Sequence, residues 1–201
     1  MLSSFHLPPT KPKQKHKPYY NGIPTCSNLT RFTVPREPMQ MVRHSPQHPW
    51  IIHLNLANSN VSGTLDRIDF TSLANLTLLN LNANFLYGSI PPSISALISS
   101  DLSNNYLTGA VPYQLSNLQN VWHLNLGFNN LEVPDYSKFL PMPSLAFLSL
   151  TSNNLILEFP PFVLNCTALK YLDLSGSNFT GLIPEVLMTN LVNLKHLDCW
   201  T

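Results

Sequence analysis

Cysteine is scarce: the 201-residue chain has three, Cys26, Cys166 and Cys199. An odd number without close spacing makes neither a disulfide framework nor a zinc site. Charge is scarce too, since Asp, Glu, Lys and Arg make up 10% of residues against 44% hydrophobic ones. Solubility must then come from Asn, Ser and Thr. No run of about 18 apolar residues occurs, so nothing in this sequence reads as a membrane-spanning helix. The first residues, "MLSSFHLPPTKPKQKHK", lack the apolar stretch of about 7–15 residues that a secretory signal needs. Enzyme signatures are also absent: there is no Gly-x-Ser-x-Gly, no Gly-rich phosphate loop with Lys, and no His-Glu-x-x-His. "HSPQH" at 44–48 sets two histidines four apart, but its proline argues against one helical face. No catalytic residue, cofactor or metal is expected.

What is present divides near Trp50. Residues 1–49 hold seven Lys and Arg against one acid, Glu37, a net of +6, and nine of the eighteen prolines. Residues 50–201 hold four Lys and Arg against nine acids, a net of −5. The first segment, with its "KPKQKHKPYY", reads as a disordered, solvated, Pro/Lys-rich tail rather than a nucleic-acid or lipid contact. The second is a repeat. Aligned segments are "LNLANSNVSGTLD" (54–66), "LNLNANFLYGSIP" (79–91), "SDLSNNYLTGAVP" (100–112), "LNLGFNNLEVPD" (124–135), "LSLTSNNLILEFP" (148–160) and "LDLSGSNFTGLIP" (172–184). One column reads Ser59, Asn84, Asn105, Asn129, Asn153, Ser177, at steps of 25, 21, 24, 24 and 24 residues. A partial seventh unit follows at "LKHLDCWT".

Each column has a physical reason. "L-x-L" alternates with period two, so it predicts a short strand with its leucines inward. Strands stacked unit on unit form one parallel sheet. The Asn amide donates and accepts, so Asn84, Asn105, Asn129 and Asn153 form a structural ladder, each satisfying backbone groups that a neighbouring turn leaves unpaired. Ser59 and Ser177 do this only in part. Gly63, Gly88, Gly109 and Gly181 permit backbone angles that other residues resist. Pro91, Pro112, Pro160 and Pro184 then stop strand pairing and start the return path. The 21-residue step, in "SISALISSDLS", loses an inward Leu at Ser100 and predicts a local irregularity.

This unit resembles the plant-specific leucine-rich repeat, "LxxLxxLxLxxNxLxGxIP". The resemblance covers residues 50–201 and points to the ectodomains of plant leucine-rich repeat receptor-like kinases and receptor-like proteins. It implies an α/β fold: a right-handed solenoid of about six repeats plus a partial seventh, with a parallel β-sheet on the concave face. It further implies a non-catalytic module at the outer face of the plasma membrane, binding a peptide or protein ligand, with a co-receptor as a second partner class. Two rival readings are a soluble inhibitor of a secreted cell-wall hydrolase and a truncated, non-functional receptor fragment. On the last, Leu194, Leu197 and Cys199 lack a covering repeat, and that end is expected to fray or associate.

Side chains flanking the inward leucines line the concave face. The column before the first Leu reads His53, Leu78, Ser99, His123, Phe147, Tyr171, His196. The column between the leucines reads Asn55, Asn80, Asp101, Asn125, Ser149, Asp173, Asp198. Aromatics beside polar groups suit a peptide or protein. The candidate binding residues are therefore His123, Phe147, Tyr171, His196, Trp122, Phe128 and Asp173, with Phe147 and Tyr171 as anchors. The alternative is that the stacked rings merely cover one another. His53, His123 and His196 share a column about three strands apart, roughly 14 Å, too far for a common metal. Sequons occur at Asn28, Asn60, Asn75, Asn165 and Asn178. The last four fall within the repeats and are the glycosylation candidates, and none is a ladder asparagine. Cys166 and Cys199 read as small core or near-core residues.

Overall fold

The computed structural model describes residues 53–199, apart from 74, 95–96, 156–157 and 181. The tail expected over 1–49, with Cys26 and Asn28, lies outside the described residues, as does Gly181. The strands, in chain order, are β1 (His53–Asn55), β2 (Ser62–Thr64), β3 (Leu78–Asn80), β4 (Phe85–Gly88), β5 (Ser99–Asp101), β6 (Tyr106–Ala110), β7 (His123–Asn125), β8 (Asn130–Glu132), β9 (Phe147–Ser149), β10 (Tyr171–Asp173) and β11 (His196–Asp198). They form two all-parallel sheets, one of order β1-β3-β5-β7-β9-β10-β11 and one of order β2-β4-β6-β8. Short return segments, mostly single 3-10 turns such as Tyr113–Asn117 and Pro161–Asn165, close each coil. One α-helical turn, Leu187–Asn190, is the α contribution to this α/β solenoid.

Packing follows the leucine columns. At the strand centres Leu79, Leu124, Leu148 and Leu172 are at most 4% exposed. Leu54 and Leu197, on the two outer strands, are half-buried; among the described residues each has a neighbouring strand on one side. Each fully covered Leu contributes about 1.5–3 kcal/mol. At the C-terminal end Leu182, Met188 and Val192 stand 92, 69 and 75% exposed.

The second sheet is an addition to the single one that the repeat predicts. The residues after the ladder Asn also alternate, with Leu86, Leu107 and Leu131 buried and their neighbours outside. Successive coils therefore pair here as well, with Ser62 beside Phe85 and Thr108 beside Asn130. Pro91, Pro112 and Pro134 follow these strands, where no further ladder N–H is needed.

The expected irregularity at the 21-residue step does not reach the large sheet. Leu79 pairs with Ser100, and Ser100 with Leu124, without a break in register. A register slip would turn every inward leucine outward, whereas a return segment tolerates shortening. Among the described residues of this step, Ser100 is 1% exposed and its Oγ has no hydrogen-bond partner. Ser100→Ala is expected to stabilise the fold by about 1 kcal/mol through loss of this orphan. Ser100→Leu, which restores the leucine column, should add about 1–2 kcal/mol more. Urea unfolding measures both. A Leu variant less stable than the Ala variant would mean that the core has closed around the serine.

Candidate functional site

Parallel register carries equivalent residues to adjacent places. Across β7, β9, β10 and β11, His123 lies beside Phe147, Phe147 beside Tyr171, and Tyr171 beside His196. Their ring centroids are 4.5, 4.5 and 4.3 Å apart, with interplanar angles of 27, 9 and 3°. These distances approach the strand spacing of about 4.7–4.9 Å, so the backbone itself sets the stack. Both faces of Phe147 and Tyr171 are thereby occupied, and their edges are left for a ligand. Phe147 and Tyr171 are half-buried and His196 is exposed.

His123 ends the stack and is buried, 5% exposed. The Trp122 ring lies 5.3 Å away, and Ser99 Oγ is 3.5 Å from its Nδ1. Burial pushes the His123 pKa below its ordinary 6.5, while Asp101 and the Ser100 backbone oppose the shift. The unfolded chain therefore binds more protons than the folded one below about pH 6.5. Stability is full above that value and falls as pH drops toward the folded pKa. In thermal melts from pH 7.5 to 5, His123→Phe should lose this part of the slope. An unchanged slope would place the acid sensitivity elsewhere.

The polar column is tied into its own turns. Asp173 Oδ1 accepts from Ser175 N at 3.0 Å and from Ser175 Oγ at 2.6 Å. Asn55, Asn80, Asp101 and Asn125 likewise accept from the N–H two residues on. Asp173 is half-buried in this role. Asp173 and Asp198 are register partners two residues beyond Tyr171 and His196, and burial first, then these two carboxylates, push the Tyr171 phenol upward.

Trp122 is 39% exposed at the edge of the stack. Phe128 lies on the turn beyond β7, 54% exposed, with φ +55°. Its equivalents Asn58, Ala83, Asn104, Ser152 and Gly176 all share the left-handed conformation, so the repeat position sets it. A bulky residue is uncommon in that conformation.

Beneath this face runs the asparagine column. Asn84 Oδ1 accepts from Ser59 N and Val61 N, and its Nδ2 donates to Leu56 O and Leu81 O. Asn105, Asn129 and Asn153 each accept from a backbone N–H of the preceding coil and donate to carbonyls of both coils. Ser177 Oγ receives Asn153 N at 3.2 Å and donates to Leu150 O at 2.7 Å. Among the described residues, Ser59 Oγ donates to Ala57 O, within its own turn.

Asn60, Asn75, Asn165 and Asn178 are all exposed. Cys166 is fully buried and its thiol is pushed up to about 11 by burial, so it packs rather than reacts. Among the described residues no group of three or more His, Cys, Asp or Glu is placed to hold a metal, and no helix is long and apolar enough to cross a membrane. The sequence columns missed three aromatics on the smaller sheet: Phe85, Tyr87 and Tyr106, 48, 53 and 60% exposed. The signal was there, as the residues flanking the leucine in "FLYG" and "YLTG".

A family model described as leucine rich repeat matches residues 99–155, and a second of the same description matches 75–97 and 168–190. Receptor-like protein EIX1 of Solanum lycopersicum is 34% identical over 62% of this chain, which spans only 13% of that relative's length. Among solved structures, the plant peptide hormone receptor RGFR1 in complex with RGF2 is similar at 28% identity and TM-score 0.69, over 78% of this chain and 25% of that one. The BIR2 ectodomain from Arabidopsis thaliana is 31% identical with TM-score 0.52, over 64% of this chain and 68% of that one.

Proposed function

Because this chain belongs to the leucine-rich repeat family, in the form shared with plant receptor ectodomains, we propose that it recognises an extended peptide or protein segment on its seven-stranded sheet, within a receptor at the outer face of the plasma membrane. The stack His123–Phe147–Tyr171–His196 carries this reading. A row of ring edges, fixed by the backbone, loses little entropy when a ligand covers it. Asp173 and Asp198 beside it favour a ligand that brings N–H donors or a basic side chain. A co-receptor is the second partner class. The repeat is a recognition scaffold, and catalysis is no part of the proposal.

The test uses a displayed library of random peptides, selected against the chain and against Phe147→Ala/Tyr171→Ala. The parent should enrich a related set of sequences, and the variant should bind them about tenfold or more weakly. Circular dichroism separates lost binding from lost fold. Should the double variant prove unstable, Tyr171→Leu keeps the volume and still removes the ring. A folded variant that binds equally well overturns the reading.

A further inference from the structure

The three exposed aromatics of the smaller sheet have no part in the ring stack above. Phe85 and Tyr106 lie 6.3 Å apart, nearly parallel at 13°, and Tyr87 lies two residues along the same strand as Phe85. The outward positions nearest the rings are Ser62, Thr64, Thr108 and Asn130, all uncharged, and the acidic Glu132 stands at the far end of β8. A flat, uncharged aromatic surface ringed by hydroxyls and an amide fits a sugar: the C–H face of a pyranose covers the rings, and its hydroxyls exchange hydrogen bonds at the rim.

One sugar acceptor adjoins this platform. Asn60 begins the sequon Asn60-Val61-Ser62, is exposed, and has φ +56°. The Val61 carbonyl accepts Phe85 N at 2.8 Å, and Ser62 is the register partner of Phe85. Asn60 also directly follows Ser59, as Phe85 follows Asn84 and Tyr106 follows Asn105. Phe85 therefore lies on the neighbouring strand beside the two residues that follow Asn60, and Tyr106 on the strand beyond, where it is the register partner of Tyr87. We propose that Asn60 carries an N-linked glycan whose first sugars pack on Phe85 and Tyr106. Tethering makes the contact intramolecular, so weak stacking suffices to keep it formed. The inference rests on the extracellular placement proposed above.

Asn178 supplies an internal control. It occupies the same position after Ser177, is exposed, and has φ +52°, but its neighbour one coil earlier is Asn154 and no ring adjoins it there. The full chain is produced in a plant secretory host behind a secretion leader, and each sequon is scored by mass spectrometry. Thermal melts then compare Asn60→Gln, Asn178→Gln, Phe85→Ser/Tyr106→Ser, and the combinations. The inference expects Asn60 to be occupied. Loss of its glycan should lower the melting midpoint by about 2–4 °C in the parent and leave it nearly unchanged when the rings are absent. Asn178→Gln should act alike in both backgrounds. If Asn75, Asn165 or Asn178 is modified and Asn60 is not, the inference fails while the extracellular reading stands. Equal effects of Asn60→Gln with and without the rings also overturn it alone. No modification at any sequon overturns both.

Discussion

Replacing Asn105 with Asp is expected to cost about 3–5 kcal/mol, the penalty of an uncompensated buried charge. Asn105 is 7% exposed. Its Nδ2 donates to Leu81 O at 2.9 Å, Leu102 O at 3.1 Å and Ser103 O at 3.1 Å, while Oδ1 accepts from Leu86 N at 3.0 Å. The carboxylate keeps the acceptor but turns the donor into a second oxygen facing three carbonyls. Because Leu81 and Leu86 belong to the preceding coil, the damage falls on the interface between coils. In a solenoid that interface carries the cooperativity. Equilibrium unfolding in urea should therefore show a lower midpoint and a broader transition, with the first two coils opening ahead of the rest in hydrogen exchange. The pH dependence gives a second check. Burial raises the folded pKa of the introduced Asp above its unfolded value of about 3.9. The folded variant then binds the extra proton, so its deficit shrinks in acid and grows as pH rises through the folded pKa. A variant as stable as the parent would show that the column does not bind the coils together.

The spacing of these asparagines and leucines made the sheet legible in the sequence. A fixed repeat with period-two alternation leaves one register open, so the side-by-side order of His123, Phe147, Tyr171 and His196 follows from counting. Several features were not legible. The smaller sheet depends on stretches of three to five residues that also read as turns, and only the stacking of coils decides in favour of pairing. His123 is buried with the Trp122 and Phe147 rings beside it, and columns do not specify ring placement. The short step at Ser100 looked like a break because the alphabet of the repeat failed there. Backbone pairing outweighed one missing leucine, and Ser100 is left with a buried hydroxyl that has no partner. Phe128 shows the converse: repeat position dictates its left-handed φ, and nothing in its own chemistry does.

Gly127 is the second site where a small change should act strongly, and the repeat pattern does not mark it. A Cβ there would lie 2.7 Å from Thr151 Cγ2, 3.2 Å from Ser149 Oγ and 3.3 Å from Thr151 O. Thr151 cannot easily yield, because its Oγ1 donates to Ser175 O at 2.8 Å and its carbonyl accepts Phe128 N at 2.8 Å. Gly127→Ala must therefore push β7 and β9 apart just beyond their ends, at the base of the ring stack. The expected loss is about 2–3 kcal/mol, in the range for overpacking. Thr151→Ser removes the offending methyl and keeps the hydroxyl, so Gly127→Ala/Thr151→Ser should recover most of that loss. A double-mutant cycle in urea isolates the coupling. Strong coupling places the strain at that one methyl. Simple additivity would mean that the backbone carbonyl is the obstacle. A mild loss for Gly127→Ala alone would show that neighbouring coils slide past one another more freely than their hydrogen bonds imply. In that case the spacing of the ring stack would not be held by the backbone, and its use as a preformed binding edge would lose its physical basis.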